Sequence, residues 1–360
     1  YGSAKLVEEL RDLVELLPEG RFRVNLKWFG YQRDGGPTSV AFEERWGTPR
    51  QAESEITERD KDIAFALQDL IEESALHVAR ALRKAAGSPH LCLGGGLALN
   101  SVMNTRVLLE AGFDDVFIQP ASGDSGNALG AALWVWHEQI GQPRRWSMDH
   151  AFWGESWSDE DCAAALARTG VEHHRVADPG AEAAKRLAEG RVVGWFQGRA
   201  EAGPRALGAR SILADPRRAE MRDVVNFRVK RREWFRPFAP SVLDERGAEF
   251  FDNYHPSPFM LLVLPVRSER QADVPAICHV DGTGRLQGVT RQAAPAFYDL
   301  IAHFDALTGV PMVLNTSFNL RGEPMVHRPG EAVADFTRSD MDSLVLGPYV
   351  ADKPSNVPSG

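Results

Sequence analysis

Cysteine is scarce in this chain of 360 residues. Cys92, Cys162 and Cys278 are its three, and no two of them form a Cys-x-x-Cys pair. An odd count without paired spacing gives no disulfide framework, which fits a reducing cytoplasm. Long apolar runs are missing too: none reaches the roughly 18 residues that a membrane span needs, and no secretory leader is visible. Positive charge is in deficit, with a formal net charge of -9. That balance argues against nucleic acid or an anionic membrane as the overall partner. Internal repeats and low-complexity tracts are absent. What remains, 43% hydrophobic and 25% charged, is ordinary globular composition. The length suggests two domains, each able to bury its own core.

Against that acidic background, arginine concentrates in one place. A buried strand is expected over 192–196. It runs into Gly-Arg-Ala-Glu-Ala-Gly-Pro-Arg-Ala-Leu-Gly-Ala-Arg-Ser, where Arg199, Arg205 and Arg210 alternate with Gly198, Gly203 and Gly208. Downstream, Lys230-Arg-Arg-Glu-Trp-Phe-Arg236 adds Lys230, Arg232 and Arg236. Glycine lets backbone N–H groups approach an oxyanion, and arginine supplies bidentate forks. The pattern points to phosphate or carboxylate binding, where a plain basic run on a helix would point to a solvated face. Glu233 is expected to pair with one of these cations, and Arg231 to be surface.

Elsewhere the pattern is that of an α/β protein. An amphipathic helix is expected over 4–17 and a strand over 22–29. A long helix should run from about 56 to 86, with Thr57 as N-cap and Asp60 in the capping-box position. His77 on that helix has no sequence partner and reads as structural. Two short strands, 90–93 and 116–119, each break into a glycine loop and a helix. Further helices are expected over 158–168 and 178–189, and further strands over 259–266 and 312–314. The chain divides into segments 1–172 and 173–352, with a Pro/Ser-rich tail over 353–360 expected to fray. It opens on Tyr1 in mid-pattern, which suggests that an upstream portion of the same protein is a further partner.

Four more strings carry polar density. Gly94-Gly-Gly-Leu-Ala-Leu-Asn100 joins a strand to a helix, so Gly94, Gly95 and Gly96 free N–H groups for a phosphate, with Asn100 nearby. Glycine at a tight turn explains the same residues without a ligand. Asp124, in Gly-Asp-Ser-Gly, is either a helix cap or a ligand of a cation. Alone it cannot build a metal site. His279-Val-Asp-Gly-Thr-Gly-Arg285 offers Arg285 for an anion and His279 as a base or, preferably, a loop hydrogen-bonder. Asn315-Thr-Ser-Phe-Asn319 places Asn315 and Ser317 at a strand end, for hydrogen bonding to a ligand or for an Asx/ST turn.

In this order, Gly-Arg-x-Glu-x-Gly-Pro-Arg-Ala-Leu-Gly-x-Arg-Ser, Lys-x-Arg-Glu-x-Phe-Arg-Pro-Phe-Ala-Pro, His-x-Asp-Gly-Thr-x-Arg-x-Gln and Asn-Thr-Ser-Phe-Asn resemble the O-carbamoyltransferases of the NodU/CmcH type, which decorate antibiotics and nodulation factors. The resemblance covers nearly the whole chain. It implies the later half of an actin/hexokinase-type ATPase-like domain over 1–172, then a YrdC-like domain. It also implies that the YrdC-like part makes carbamoyl adenylate from carbamoyl phosphate and ATP. The other domain would pass the carbamoyl group to a small-molecule hydroxyl acceptor beside a divalent metal, iron-type or magnesium. Carried over by motif, Lys230, Arg205 and Arg236 would be catalytic. Arg199, Arg210, Arg232, Arg285, Asn315 and Ser317 would hold carbamoyl phosphate and ATP. Gly94, Gly95, Gly96 and Asn100 would hold the adenylate, and Asp124 the metal. The family's two histidine ligands lie in a His-x-x-x-His segment that this chain lacks. Two other readings compete: a carbamoyl-type adenylate synthase for tRNA modification, and a non-enzymatic nucleotide- or RNA-binding module.

Overall fold

The structure is a computed structural model that describes residues 1–32 and 36–354. Part of the turn expected after residue 29, and most of the 353–360 tail, lie outside the described residues. The chain separates into two compact units. One holds Tyr1–Leu93 and Val102–Phe117; the other holds Gly94–Ser101 and Ile118–Gly360. The contact boundary therefore falls earlier than the 172/173 division read from sequence.

In the first unit the helix expected over 4–17 does not form as one piece. Short turns at Ala4–Leu6 and Arg11–Leu13 flank a four-residue helix, Val7–Leu10, and the chain then enters strand β1 (Val14–Leu17). The reason lies downstream. Pro18–Gly20 reverses the chain with Glu19 and Gly20 at positive φ, and β2 (Arg21–Val24) then pairs antiparallel with β1. Pairing claims the backbone groups that a helix would have used. The strand expected to reach 29 stops at Val24, because the Asn25 side chain accepts from the N–H of Lys27 and starts a turn over Leu26–Trp28. Leu10, Leu13, Trp28, Phe42, Trp46, Ala66 and Leu70 form the core.

The long helix, Glu58–Ala86, is where the sequence placed it. Thr57 and Asp60 make a reciprocal capping box, and the Thr57 hydrogen bonds hold the Asp60 carboxyl down at about 2. Gly87 closes it in the left-handed conformation. His77 Nε2 lies 2.8 Å from the Leu17 carbonyl and 3.1 Å from that of Arg21, a structural role. Strands β3 (His90–Leu93) and β4 (Asp115–Ile118) pair with one another, and the Ser101–Glu110 helix lies between them in sequence.

The second unit is built on one nine-stranded mixed sheet. Its strands are β5 (His174–Arg175), β6 (Val193–Phe196), β7 (Arg210–Ala214), β8 (Ala239–Leu243), β9 (Leu262–Pro265), β10 (Thr283–Val289), β11 (Met312–Ser317), β12 (Ser343–Leu346) and β13 (Tyr349–Asp352). Their order is β5-β13-β12-β6-β7-β11-β8-β10-β9. The β8–β10 and β6–β12 pairs are parallel and the other pairs antiparallel. Strands β6, β7, β8 and β12 are buried along their whole length, as continuous apolar runs predict. The helices Pro179–Ala188 and Pro295–Thr308 pack on one another, as do Asp159–Thr169 and Pro329–Arg338. Each of the first pair starts with proline in its first turn, and Asp178 caps one of them by accepting from the N–H of Ala181. The architecture is α/β. No helix among the described residues is long and apolar enough to cross a membrane, and the three cysteines are free.

Candidate active site

The sheet brings the arginine strings together. A cavity of about 290 Å³ in the second unit has Arg205, Arg232, Arg236, Arg285, Asn315 and Ser317 in its wall. Arg205 comes from the loop between β6 and β7, Arg232 and Arg236 from the segment before β8, and Arg285 from β10. Asn315 and Ser317 come from the end of β11. Strand β11 runs three residues further than its apolar stretch. Asn315 pairs with Leu213 on one side and Ala239 on the other, so both neighbours hold the polar end in the sheet.

Two close approaches shape the loop that carries Arg205. Gly203 has φ +120°, and a Cβ there would lie 2.6 Å from the Pro120 carbonyl oxygen; Gly208 has φ +108°, and a Cβ there would enter the Phe297 ring. Only glycine fits either position. A carboxylate that sequence reasoning left without a role fixes the rest. Glu201 is buried, and its Oε1 accepts from the backbone N–H groups of Leu207 at 2.7 Å, Ala209 at 2.8 Å and Arg210 at 3.2 Å. The signal for it was its place inside the Gly-Arg-x-Glu string. Pro204, Pro237, Met260 and Thr316 also line the cavity and went unremarked.

The wall has an uncompensated positive charge. Arg285 has no hydrogen-bond or ion-pair partner among the described residues, and its Nε is buried. Burial pushes its guanidinium down to about 9, with Arg205 and Arg232 adding repulsion. Arg205 donates from Nη2 to the Leu99 carbonyl at 3.2 Å, while its Nε is buried without an acceptor; burial lowers it too. Arg232 donates from Nε to Asn226 Oδ1 at 2.7 Å and sits over the Phe238 ring. Burial first and Arg236 second push it down to about 10. Arg236 is exposed and pairs with Glu233 at 2.8 Å, the partner expected for that carboxylate. Buried cations without carboxylates cost folding energy, so a site of this kind is completed by an anionic ligand.

Lys230 stands behind the wall. It is 5% exposed, and its Nζ donates to the Ser317 carbonyl at 2.8 Å, Ser317 Oγ at 3.2 Å, the Asn319 carbonyl at 2.9 Å and Asn319 Oδ1. It pins the turn after β11. Those four oxygens favour the ammonium, whereas burial, with Arg232 and Arg236 behind it, pushes Lys230 down to about 7. The amine of the free protein should therefore give up its proton as the pH rises through that range, and an oxyanion in the cavity should draw the proton back. Acetyl phosphate loses its own last proton well below that pH. Its binding at pH 8 should take up as much as about one proton, falling towards zero near pH 5.5. Calorimetry in buffers of different ionisation enthalpy reads this directly, and equal heats in all buffers at pH 8 would contradict it.

The other sequence candidates lie outside the cavity. Arg199 is exposed and donates to the carbonyls of Gly154 and Trp153 at 2.9 and 3.1 Å. Arg210 is fully buried. Its guanidinium lies 3.6 Å from the Phe196 ring centroid and donates to the carbonyls of Gln197, Ala209 and Gly198, which makes it a brace of the loop. Gly94, Gly95 and Gly96 are exposed, and a Cβ on any of them would meet nothing within 4 Å. Asn100 follows the short turn Gly96–Leu99, whose Leu99 carbonyl is the one that Arg205 holds. His279 Nδ1 lies 3.1 Å from Thr283 Oγ1 in the turn leading to β10, a loop hydrogen bond. Arg231 is exposed, at φ +47°.

Asp124 is exposed and opens the turn Asp124–Gly126. It caps neither that turn nor the helix Asn127–Trp134 that follows. Among the described residues no group of three or more His, Cys, Asp or Glu side chains can hold a metal ion. Asp124 therefore has no companion ligands among the described residues for the divalent metal that the resemblance implied, and no step is routed through one.

Comparison with known proteins decides the family. A family profile described as carbamoyltransferase C-terminus matches residues 184–353, and one described as carbamoyltransferase N-terminus matches residues 1–133. The chain belongs to the carbamoyltransferase family. It is similar to nodulation protein NolO of Bradyrhizobium diazoefficiens, 41% identical over 98% of this chain and 64% of the relative. Nodulation protein NolNO of Sinorhizobium fredii is 42% identical over 98% of this chain and 52% of the relative. An uncharacterised protein of Synechocystis is 40% identical, with 98% and 62% covered. The carbamoyltransferase chain thus spans between about half and two thirds of the length of these relatives. The expectation of an absent upstream portion finds no support in the match over residues 1–133 and is not carried further. The cavity residues all lie within the C-terminal match.

Proposed function

We propose that this chain works in an ATP-dependent O-carbamoyltransferase, with the arginine cavity as the place where carbamoyl adenylate forms from carbamoyl phosphate and ATP. The observation that carries the reading is Arg285, half-buried against Arg205 and Arg232, with no ion-pair partner for any of the three among the described residues. A carbamoyl group is a poor electrophile until it has a good leaving group, and AMP is one. Balance requires that water take the phosphoryl group of carbamoyl phosphate, giving carbamate and phosphate. A carbamate oxygen then attacks the α-phosphorus of ATP, and pyrophosphate leaves. Two anions must meet for that bond to form, and fixed guanidinium groups offset their repulsion. At about 290 Å³ the cavity is at the small end for ligand sites, which suits a small acyl phosphate or the phosphate end of a nucleotide.

In the transfer step the acceptor hydroxyl oxygen attacks the carbamoyl carbon, AMP leaves, and the hydroxyl proton passes to a base. Relatives named as nodulation proteins support a specialised natural product as the acceptor. The Gly94–Asn100 loop, tied to Arg205 through Leu99, is the proposed path for the adenylate.

The test is product analysis with the 360-residue chain. ATP plus carbamoyl phosphate should yield pyrophosphate, and leaving out carbamoyl phosphate should stop it. Pyrophosphate release indifferent to carbamoyl phosphate, or RNA binding with a steep salt dependence and no release at all, would contradict the proposal.

A further inference from the structure

The segment that carries Arg232 and Arg236 is held by a residue that lies outside the arginine strings. Asn226 is fully buried on the short helix Val224–Val229. The last turn of that helix is widened: the Lys230 N–H donates to the Val225 carbonyl, five residues back, at 2.8 Å. Arg231 then takes φ +47°, a left-handed conformation that disfavours a side chain, and the Arg232 N–H donates to the Asn226 carbonyl at 3.0 Å. This closure turns residues 232–237 back over the helix end. Widened helical turns of this kind are frequent at functional sites.

The Asn226 side chain has one orientation. A backbone carbonyl can only accept, and a guanidinium can only donate. Nδ2 therefore faces the carbonyls of Arg236 at 3.1 Å and Trp234 at 3.4 Å, while Oδ1 accepts from Arg232 Nε at 2.7 Å. Both ends of the amide are spent on the segment that forms the cavity wall. Its hold on Nε, with the Phe238 ring centroid 4.7 Å from the guanidinium carbon, sets the direction of the outer edge of Arg232. On that edge Nη2 reaches only the Pro237 carbonyl, at 3.4 Å, and Nη1 has no hydrogen-bond partner among the described residues.

A neutral amide holds Arg232, whereas elsewhere the chain orients arginines with acids. Arg186 donates from Nε and Nη2 to the Asp352 carboxylate at 2.8 and 2.7 Å, and Arg217 from the same nitrogens to Asp215 at 2.9 and 2.7 Å. Those acids raise both guanidinium groups, and Arg232 is lowered. An acid fixes an arginine and neutralises it. At position 226 a carboxylate would also set its oxygens against the Trp234 and Arg236 carbonyls. The amide fixes the guanidinium and leaves its charge for a ligand.

We infer that Asn226 is a positioning residue: it aims Arg232 into the cavity and braces the backbone that presents Arg236, without spending the positive charge that an oxyanion needs. The inference rests on the cavity reading above.

The experiment is a double-mutant cycle on binding of acetyl phosphate, with thermal midpoints to confirm folding. Dissociation constants are measured for the wild-type chain, Asn226→Ala, Arg232→Met and the double variant. Asn226→Ala should weaken binding by at least about tenfold, and Arg232→Met by at least about 30-fold. If Asn226 acts through Arg232, the double variant should lie within about threefold of Arg232→Met, far short of the product of the two losses. Asn226→Asp restores the acceptor but spends the charge, and should bind no better than Asn226→Ala. A folded Asn226→Ala with wild-type affinity, losses that multiply in the double variant, or wild-type affinity in Asn226→Asp would each overturn the inference and leave the cavity reading standing. A wild type that does not bind acetyl phosphate overturns the cavity reading itself. If the Asn226 variants fail to fold, Arg232→Lys decides, because it keeps the charge but has no Nε for the amide to hold. Binding at least about tenfold weaker than wild type supports the inference, and binding within threefold overturns it.

Discussion

Arg285→Met should make the protein more stable and nearly inactive. Methionine fills much of the arginine volume without the charge, so the repulsion from Arg205 and Arg232 disappears together with the cost of burial. Replacing buried charge by apolar volume stabilises other proteins. Here the unfolding midpoint should rise by about 2–4 °C. Pyrophosphate release should fall by at least about 100-fold, since a donor aimed at developing charge is typically worth that much. The two readouts moving in opposite directions mark a residue kept for function at the expense of stability. If Arg285→Met lowered the midpoint and left release near normal, Arg285 would be a structural residue whose partner had gone unrecognised.

Glu201→Ala should do the reverse, losing stability and function together. Its Oε1 carries three backbone N–H groups of the loop between Arg205 and β7, and alanine would leave all three buried and unpaired. The cost should exceed about 3 kcal/mol, a drop of roughly 6 °C or more in the midpoint. Acetyl phosphate binding should be lost as the loop loses its shape. Glu201→Gln keeps the oxygen but gives up the charge, and should fall between the wild type and alanine. A midpoint for Glu201→Ala within 2 °C of wild type would show that the loop is held by its glycines and by Arg210 alone.

The contrast between Arg205 and Arg210 shows where sequence reading stops. The alternation of arginine with glycine, proline and leucine said that this stretch was no solvated basic face, which agrees with Arg210 fully buried and Arg205 half-buried. Which arginine faces a ligand was not legible. Arg210 begins β7, where a buried strand turns it onto Phe196 and three carbonyls, while Arg205 stays in the loop and enters the cavity. That assignment depends on strand pairing far along the chain. So does the polar end of β11, which strands on both sides carry past its apolar stretch. Local rules did suffice where the structure is local: the Thr57–Asp60 capping box, the Asp178 cap, the Glu233–Arg236 pair. They failed at residues 4–17, where a four-residue strand gained a partner across a tight turn and outcompeted an amphipathic helix pattern. Asn315 was named from its string alone. That its nitrogen is spent on Ala206 and Ser241 follows only from the positions of groups contributed by a different loop and strand.

The central claim is that three guanidinium groups without acid partners hold the phosphate of the substrate. A crystal structure of the chain grown with carbamoyl phosphate tests it most directly. The account predicts phosphoryl oxygens within hydrogen-bonding distance of Arg205, Arg232 and Arg285. A ligand bound elsewhere on the chain, with only water among those arginines at saturating concentration, would contradict it.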